Sequence, residues 1–289
     1  MKKIIIIILS IITLTLVICL ILNSCNNKKK DLALSINKAN NYCIGNNERR
    51  INQVLYFTRD NIFNTANIVS SINVIGSDEQ VLNLKLNNIE KKGYTHKYEN
   101  NKYYSYIYDL TIPKIEGTLL YENAKLEIIS DDKTLTIPIG TFELRYDSTY
   151  DDSKIITVNK LVGSCAYNPY QTLSSIDITL ENKEFSNITI NKINMGKYID
   201  LTLDEVKEEI IFNSTNTNID DTIIGYMESE YKFSLSYKKK LMLIESFIEI
   251  EYSDSLGAHK ELIDTYHYYD NGYSLPVDND LINTIVFTV

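Results

Sequence analysis

Alternation of apolar and polar side chains dominates the chain from residue 81 onward. The clearest runs lie at residues 82–86, 104–112, 126–128 and 135–146 in the first half, and at 176–181, 188–190, 231–237 and 285–289 in the second. A period of two places successive side chains on opposite faces of a strand, so each run predicts a strand with one buried and one solvated face. Short runs broken by Gly, Asn and Asp clusters are typical of antiparallel sandwiches. The pattern therefore predicts a mainly β protein.

Two stretches depart from this pattern and predict helices. Between Ile51 and Val69 the apolar residues fall on one face of a helix, although the β-branched and aromatic residues there also allow a pair of strands. Further on, Thr202 and Glu205 have the spacing of a capping box, and Val206 and Ile210 lie one turn apart. The second stretch predicts one short helix.

Polar interruptions set the predicted domain boundaries. Residues 26–50 are rich in Asn and lack sustained periodicity, so they predict a polar tether. Residues 147–153 form the most polar interruption in the middle of the chain and predict a domain boundary. The organisation expected is a signal or anchor at 1–25, a tether at 26–50, a β-rich domain at 51–147, and a second β domain at 148–289. Both domains are expected to be immunoglobulin-like antiparallel β-sandwiches.

The first thirty residues have the layout of a membrane-directing segment. Lys2 and Lys3 precede an apolar run of 19 residues from Ile4 to Leu22. As a helix rising about 1.5 Å per residue, this run spans roughly the hydrocarbon core of a bilayer. A basic start followed by an apolar region is also the form of a secretory signal. Length and charge therefore leave a single-pass anchor and a cleaved signal both open.

The residues after the apolar run carry a family resemblance. Leu22-Asn23-Ser24-Cys25 resembles the lipobox of bacterial lipoproteins, in which lipid is attached to the cysteine and the signal is removed before it. The resemblance implies lipid attachment at Cys25 and a protein tethered by acyl chains to the outer side of the cell membrane. An uncleaved transmembrane helix remains the alternative.

Few residues in the chain are suited to catalysis or metal binding. Three histidines are present, no Cys and His spacing matches a metal site, and no nucleophile motif is recognisable. The sequence predicts no metal, no cofactor and no enzymatic activity. Three alternatives stay open. The first is a single calcium ion held by one of the acidic clusters, such as Asp131-Asp132 or Asp220-Asp221. The others are His259 oriented by Glu261 as a base, and a carboxylate pair among Glu249, Glu251 and Glu261 for hydrolysis of an envelope glycan.

Charge and tyrosine content indicate the kind of partner. The formal net charge of −9 gives no electrostatic support for binding nucleic acid. Among the 22 tyrosines, dense groups on two predicted strands could stack on sugars or grip a peptide, unless they pair across strands instead. The ligand-binding candidates are Tyr104, Tyr106, Tyr108, Tyr266 and Tyr268. The expected function is a membrane-tethered, extracytoplasmic interaction protein with a protein, peptide or glycan ligand; an accessory subunit of a membrane complex is a further alternative.

Overall fold

Strands account for most of the chain in the computed structural model. It describes residues 31–78, 80–150, 152, 154–167, 171–183, 187–197, 199, 201–209, 222–224, 230–241, 243–269 and 282–287. These residues form strands, turns and a single 3-10 turn at Ile62–Asn64. The prediction of a mainly β protein is therefore confirmed.

The strands are numbered in chain order. They are β1 (Asp31–Ile36), β2 (Lys38–Ile44), β3 (Arg49–Phe57), β4 (Val69–Ile75), β5 (Val81–Tyr98), β6 (Asn101–Ile112), β7 (Thr118–Ser130), β8 (Lys133–Tyr146), β9 (Ile156–Tyr167), β10 (Gln171–Asn182), β11 (Ile188–Asn194), β12 (Leu201–Glu209), β13 (Thr222–Ile224), β14 (Glu230–Leu241), β15 (Leu243–Asp254), β16 (Gly257–Tyr269) and β17 (Ile282–Phe287).

The strands assemble into one large sheet and one small one. The large sheet has the order β13-β11-β15-β2-β8-β7-β4-β5-β6-β3-β1-β17, and β16 pairs with β15 beside this path. The small sheet has the order β12-β14-β10-β9. Within the large sheet, β5 pairs with β4 through Val81–Leu84 and with β6 through Lys85–Tyr98. The first part of β5 therefore pairs with β4 and the rest pairs with β6, so that β5 links these two strands in the sheet.

Two large apolar cores lie between these layers. The first is built from β1–β8 and includes Tyr108, Leu110, Leu126 and Ile128, all essentially buried. The second joins the small sheet to β11, β15 and β16, where Ile176 and Ile178 pack in the same cluster as Ile248 and Ile250. Full burial of one such side chain contributes roughly 1.5–3 kcal/mol, so the cores are the main source of stability.

The two cores meet at a seam of three parallel strands. Ladder pairs join β2 to β15 at Ala39 and Asn40, and join β2 to β8 along its whole length. Lys38 Nζ lies 2.6 Å from Glu245 Oε2 across the seam, with both side chains buried. The Tyr42 hydroxyl donates to the same carboxylate at 3.0 Å. We call this set of three strands, β15, β2 and β8, the seam.

The prediction that residues 26–50 form a tether is wrong for most of that segment. Residues 31–36 and 38–44 are β1 and β2, and most of their side chains are buried. Their polar side chains are compatible with burial because they are hydrogen-bonded: Asn40 Nδ2 donates to Thr141 O at 2.9 Å, and Asn41 Nδ2 donates to Met195 O at 3.1 Å. Residues 26–30 lie outside the described part of the chain.

Both helix predictions are also wrong. The stretch that begins at Ile51 lies in β3 and the 3-10 turn after it, and the buried positions of β3 are Ile51, Gln53, Leu55, Tyr56 and Phe57. The alternative of strand structure in that stretch is the correct one. Residues 201–209 form β12, whose backbone pairs with β14 instead of closing a helical turn. In both places cross-strand pairing outweighs a local helical preference.

Hydrogen-bonded pairs cross the predicted domain boundary. β15 pairs with β2, and β17, near the end of the chain, pairs with β1 through all six of its residues. Separate cores therefore coexist with a continuous sheet.

Two glycines test how tightly the seam is packed. Gly140 and Gly117 both have positive φ, of 97° and 90°, but only a Cβ on Gly140 would meet backbone, at 2.3 Å from Lys38 O. We expect Gly117→Ala to cost about 1–2 kcal/mol, from conformational strain alone. Gly140→Ala should cost roughly 1–3 kcal/mol more, because β2 must move. Guanidinium unfolding of both variants measures the difference, and equal losses would contradict a close-packed seam.

Candidate functional site

The tyrosines of β6 are divided between the core and its rim. Tyr106 and Tyr108 are 2% and 0% exposed, so the prediction that they contact a ligand is wrong. The Tyr108 hydroxyl donates to Phe63 O at 2.7 Å, and the Tyr106 hydroxyl bonds to Asp60. Burial raises the pKa of both hydroxyls. These two rings serve packing and hydrogen bonding within the fold.

Tyr104 is the member of this row that reaches the surface. Its ring is half-buried, and Lys91 Nζ and Lys102 Nζ lie 4.5 Å and 5.4 Å from the ring centroid. Such cation–π contacts hold ammonium groups over an aromatic face. Tyr266 and Tyr268 belong to β16 by their backbone, and their side chains lie outside the described part of the structure.

The tip of the β5–β6 hairpin extends beyond Tyr104. Glu99 and Asn100 have φ of 44° and 65° and form a two-residue turn between Tyr98 and Asn101, which pair with each other. Lys97 and Lys102 stand directly opposite one another in the next pair. Residues 97–102 line an open concavity of about 340 Å³. Within the described residues, neither of these two lysines forms an ion pair.

His259, the candidate catalytic base, contacts a carboxylate at a strand turn. His259 Nε2 lies 2.9 Å from Asp254 Oδ1, and the same oxygen accepts from the Leu256 and Gly257 amides at the β15–β16 turn. The hydrogen bond from His259 lowers the pKa of Asp254. Glu261 instead accepts from the Ile155 and Ile156 amides at 3.0 and 3.3 Å. Glu261 therefore does not orient His259.

Of the three carboxylates proposed for hydrolysis, Glu261 lies on the opposite face of the sheet from Glu249 and Glu251. Glu249 stands opposite Leu262, and Glu261 stands opposite Ile250, in the antiparallel β15–β16 ladder. Directly opposite residues share a face, so Glu249 and Glu261 point to opposite faces. Burial raises the pKa of Glu261. Two carboxylates separated in this way cannot flank one glycosidic bond.

A buried ionic cluster beside the seam was missed by sequence reasoning. Arg145 bonds to Glu143 at 2.7 Å and to Glu249, and both carboxylates are essentially buried. Lys260 Nζ and Asn194 Nδ2 each approach Glu249 at 3.2 Å. Burial alone would raise the pKa of Glu249, but the Arg145 charge and these hydrogen bonds outweigh it and lower the pKa. Alternation assigned residues 143 and 145 to a solvated face, and no spacing signal in the sequence connects them to Glu249.

Cys43 is a free, buried thiol whose pKa is raised by burial. Cys25 lies outside the described residues. No helix among the described residues is long and apolar enough to cross a membrane.

Comparison with known proteins gives only distant likenesses. No family model matches the chain, and no curated protein matches its sequence. Similar solved structures include the C-terminal domain of the Streptococcus agalactiae AgI/II polypeptide BspA, at 9% identity and a TM-score of 0.20, covering 81% of this chain and 96% of that one. A titin Ig tandem is 9% identical with a TM-score of 0.19, covering 81% of this chain and 96% of that one. A marsupial T cell receptor is 8% identical with a TM-score of 0.19, covering 83% of this chain and 99% of that one. At these TM-scores the likenesses decide nothing about function.

Glu249 and Glu251 provide a matched test of the ionic cluster. Both approach Lys260 and Asn194, but Glu249 is buried and also bonds to Arg145. We expect Glu249→Gln to lower the free energy of unfolding by about 3 kcal/mol at neutral pH, because it leaves Arg145 partly uncompensated. Glu251→Gln, on the same strand face, should cost about 1 kcal/mol or less.

The pH dependence of the same variants has a definite sign. The pKa of Glu249 lies below its ordinary value of 4.5, so its stabilisation is present in full above that value. It is lost as the pH falls through the folded-state pKa, and the gap between wild type and Glu249→Gln should therefore close in acid. Urea unfolding at neutral and acidic pH measures this gap. A gap that widens in acid would contradict the assignment.

Proposed function

We propose that this chain is a lipid-anchored protein on the outer face of a bacterial cell membrane that binds a protein partner without catalysing a reaction. In this proposal Cys25 carries the lipid. Each apolar core belongs to one largely antiparallel, immunoglobulin-like sandwich, and β2 and β15 join the two sandwiches edge to edge. The separate membership of the two cores supports this division.

The observation that carries the proposal is the short distance between the lipobox-like segment and the fold. Five residues separate Cys25 from Asp31, which is already the first residue of β1. Asp31 is buried and bonds to Arg59, and Leu32 exchanges two hydrogen bonds with Thr58. A chain that enters a β domain directly after an anchoring cysteine holds that domain close to the membrane surface. This layout suits a protein that works by contact at the cell surface.

An open sheet edge supports binding of a protein segment. Within the described residues β9 pairs with β10 alone, so one side of its backbone is available. The stretch from Lys160 to Ser164 has one charge and no proline, and Val162 is 40% exposed. Edge strands are usually protected by charges, prolines or a covering element, because their free N–H and C=O groups pair with other chains. We infer that β9 receives an extended segment of the partner by strand addition.

The anchor is tested by cysteine substitution in bacterial cells. We expect Cys25→Ala to abolish incorporation of labelled palmitate, because the lipid is attached to that thiol. Cys19→Ala, within the apolar run, should retain the label. Globomycin should cause the uncleaved precursor to accumulate. Absence of label on the wild-type chain would reject lipid anchorage.

The binding edge is tested by site-specific photo-cross-linking in native membranes. A photoreactive residue at Val162 should give a covalent adduct with a second protein, because a partner strand would lie within a few ångströms of it. The same residue at Lys125, which is exposed on the interior strand β7, should give none. Gel shift and mass spectrometry of the adduct provide the measurement. Adducts at both positions, or at neither, would contradict binding along β9.

A further inference from the structure

We propose that the tip of the β5–β6 hairpin binds the phosphate groups of anionic phospholipids in the membrane that carries the Cys25 anchor. The site consists of Lys97 and Lys102, with the turn residues between them. This inference rests on the proposed lipid anchorage, and its test separates the two.

The sheet register places this tip at the same end of the fold as the tether. Ala33 of β1 pairs with Phe57 of β3, and Phe57 pairs with Tyr104 of β6. Continuing this register by two residues places Asp31 level with Arg59, with which it forms an ion pair, and places Lys102 at the same level. The cross-strand partner of Lys102 is Lys97. Three strand spacings of about 4.8 Å separate β1 from β5, so the tip is roughly 14 Å from the start of β1.

The tether is short enough to keep this end at the membrane. Six residue steps lead from Cys25 to Asp31, and a fully extended chain covers at most about 3.3–3.6 Å per step. The start of β1 therefore lies within about 20 Å of the lipidated residue. The hairpin turn projects past the level of Asp31 by the residues from Tyr98 to Asn101. The tip thus lies within reach of the headgroups.

The tip carries an excess of positive charge that an anion would neutralise. Like charges directly opposite on neighbouring strands repel, and Lys97 and Lys102 are such a pair. Nearby lysines differ, because Lys91 bonds to Asp60 at 2.7 Å and Lys92 bonds to Glu90 at 2.6 Å. The turn adds one carboxylate, that of Glu99, against the two ammonium groups. The concavity that residues 97–102 line is open enough to admit a phosphate group.

A second turn at the same end provides an internal contrast. Asp131 and Asp132 form a two-residue turn with φ of 45° and 62°, close to the values at Glu99 and Asn100. Ser130, beside this turn, pairs with Val69 and donates to Ile62 O, just beyond the end of β3. The two turns have the same backbone form, but the first carries two lysines and one carboxylate, whereas the second carries two carboxylates and one lysine, Lys133. Phosphate binding therefore favours the first turn over the second.

The experiment uses the full lipidated chain in vesicles of phosphatidylcholine with or without phosphatidylglycerol. An environment-sensitive fluorescent residue replaces Asn100 or, as the matched control, Asp132. Quenching by lipids labelled near the headgroup reports contact. We expect strong quenching at position 100 only when phosphatidylglycerol is present, and weak quenching at position 132 in both membranes. Added salt should reduce the difference.

Charge removal then tests the two lysines. Lys97→Gln with Lys102→Gln should shift the phosphatidylglycerol needed for half-maximal quenching by roughly fivefold per lysine, as expected for a lysine at an anionic surface. Lys114→Gln with Lys125→Gln, which removes two exposed charges elsewhere, should leave it unchanged.

The outcomes separate the inference from the anchor. Loss of the wild-type chain from the vesicles means that the anchorage has failed. Retention with equal quenching at positions 100 and 132 overturns the lipid site and leaves the anchor intact. If inorganic phosphate in pure phosphatidylcholine vesicles increases the quenching at position 100 as much as phosphatidylglycerol does, the lysines bind a free anion. That result would overturn the lipid assignment.

Discussion

The placement of β2 between β15 and β8 is the constraint on which the rest of the structure depends. β2 is parallel to both neighbours, and it is the strand through which the two cores join. The Lys38–Glu245 pair lies across this junction and is nearly closed to solvent. A buried ion pair is tolerated only with good geometry and further hydrogen bonds, and here the Tyr42 hydroxyl supplies one of them. A slip of one residue would move Lys38 to the other face of the sheet, so the polar pair and the register support each other.

The period of two along the chain predicted strands such as β6, β8 and β10 because it reports local geometry. It failed where burial comes from distant parts of the chain. The sequence of β1 and β2 predicts a polar tether because of residues such as Asn40 and Asn41, whose side-chain NH2 groups donate to main-chain carbonyls of Ile139, Thr141 and Met195. Those partners are about 100 or more positions away, so no window of the sequence contains the reason for their burial. β12 similarly became a strand through pairing with β14 despite a local capping-box pattern.

The candidate site was predicted only in part for the same reason. Alternation shows that Tyr104, Tyr106 and Tyr108 share a face, and they do, but it does not show which face the core covers. The pairing of β6 between β3 and β5 decides that, burying two rings and leaving Tyr104 at the rim. For Glu143 and Arg145 the error was the opposite one, because alternation placed them on a solvated face. Arg145 instead bonds to Glu143 and to Glu249 from a distant strand, and the two carboxylates are buried.

The way the chain enters the fold connects the first described residues to the large sheet. β1 receives the chain from the lipobox-like segment and pairs with β17 on one side and β3 on the other. The ion pair between Asp31 and Arg59 fixes the point of entry. Because β1, β3, β6 and β5 are successive neighbours in one sheet, the position of this entry point also sets the position of the lysine-bearing tip.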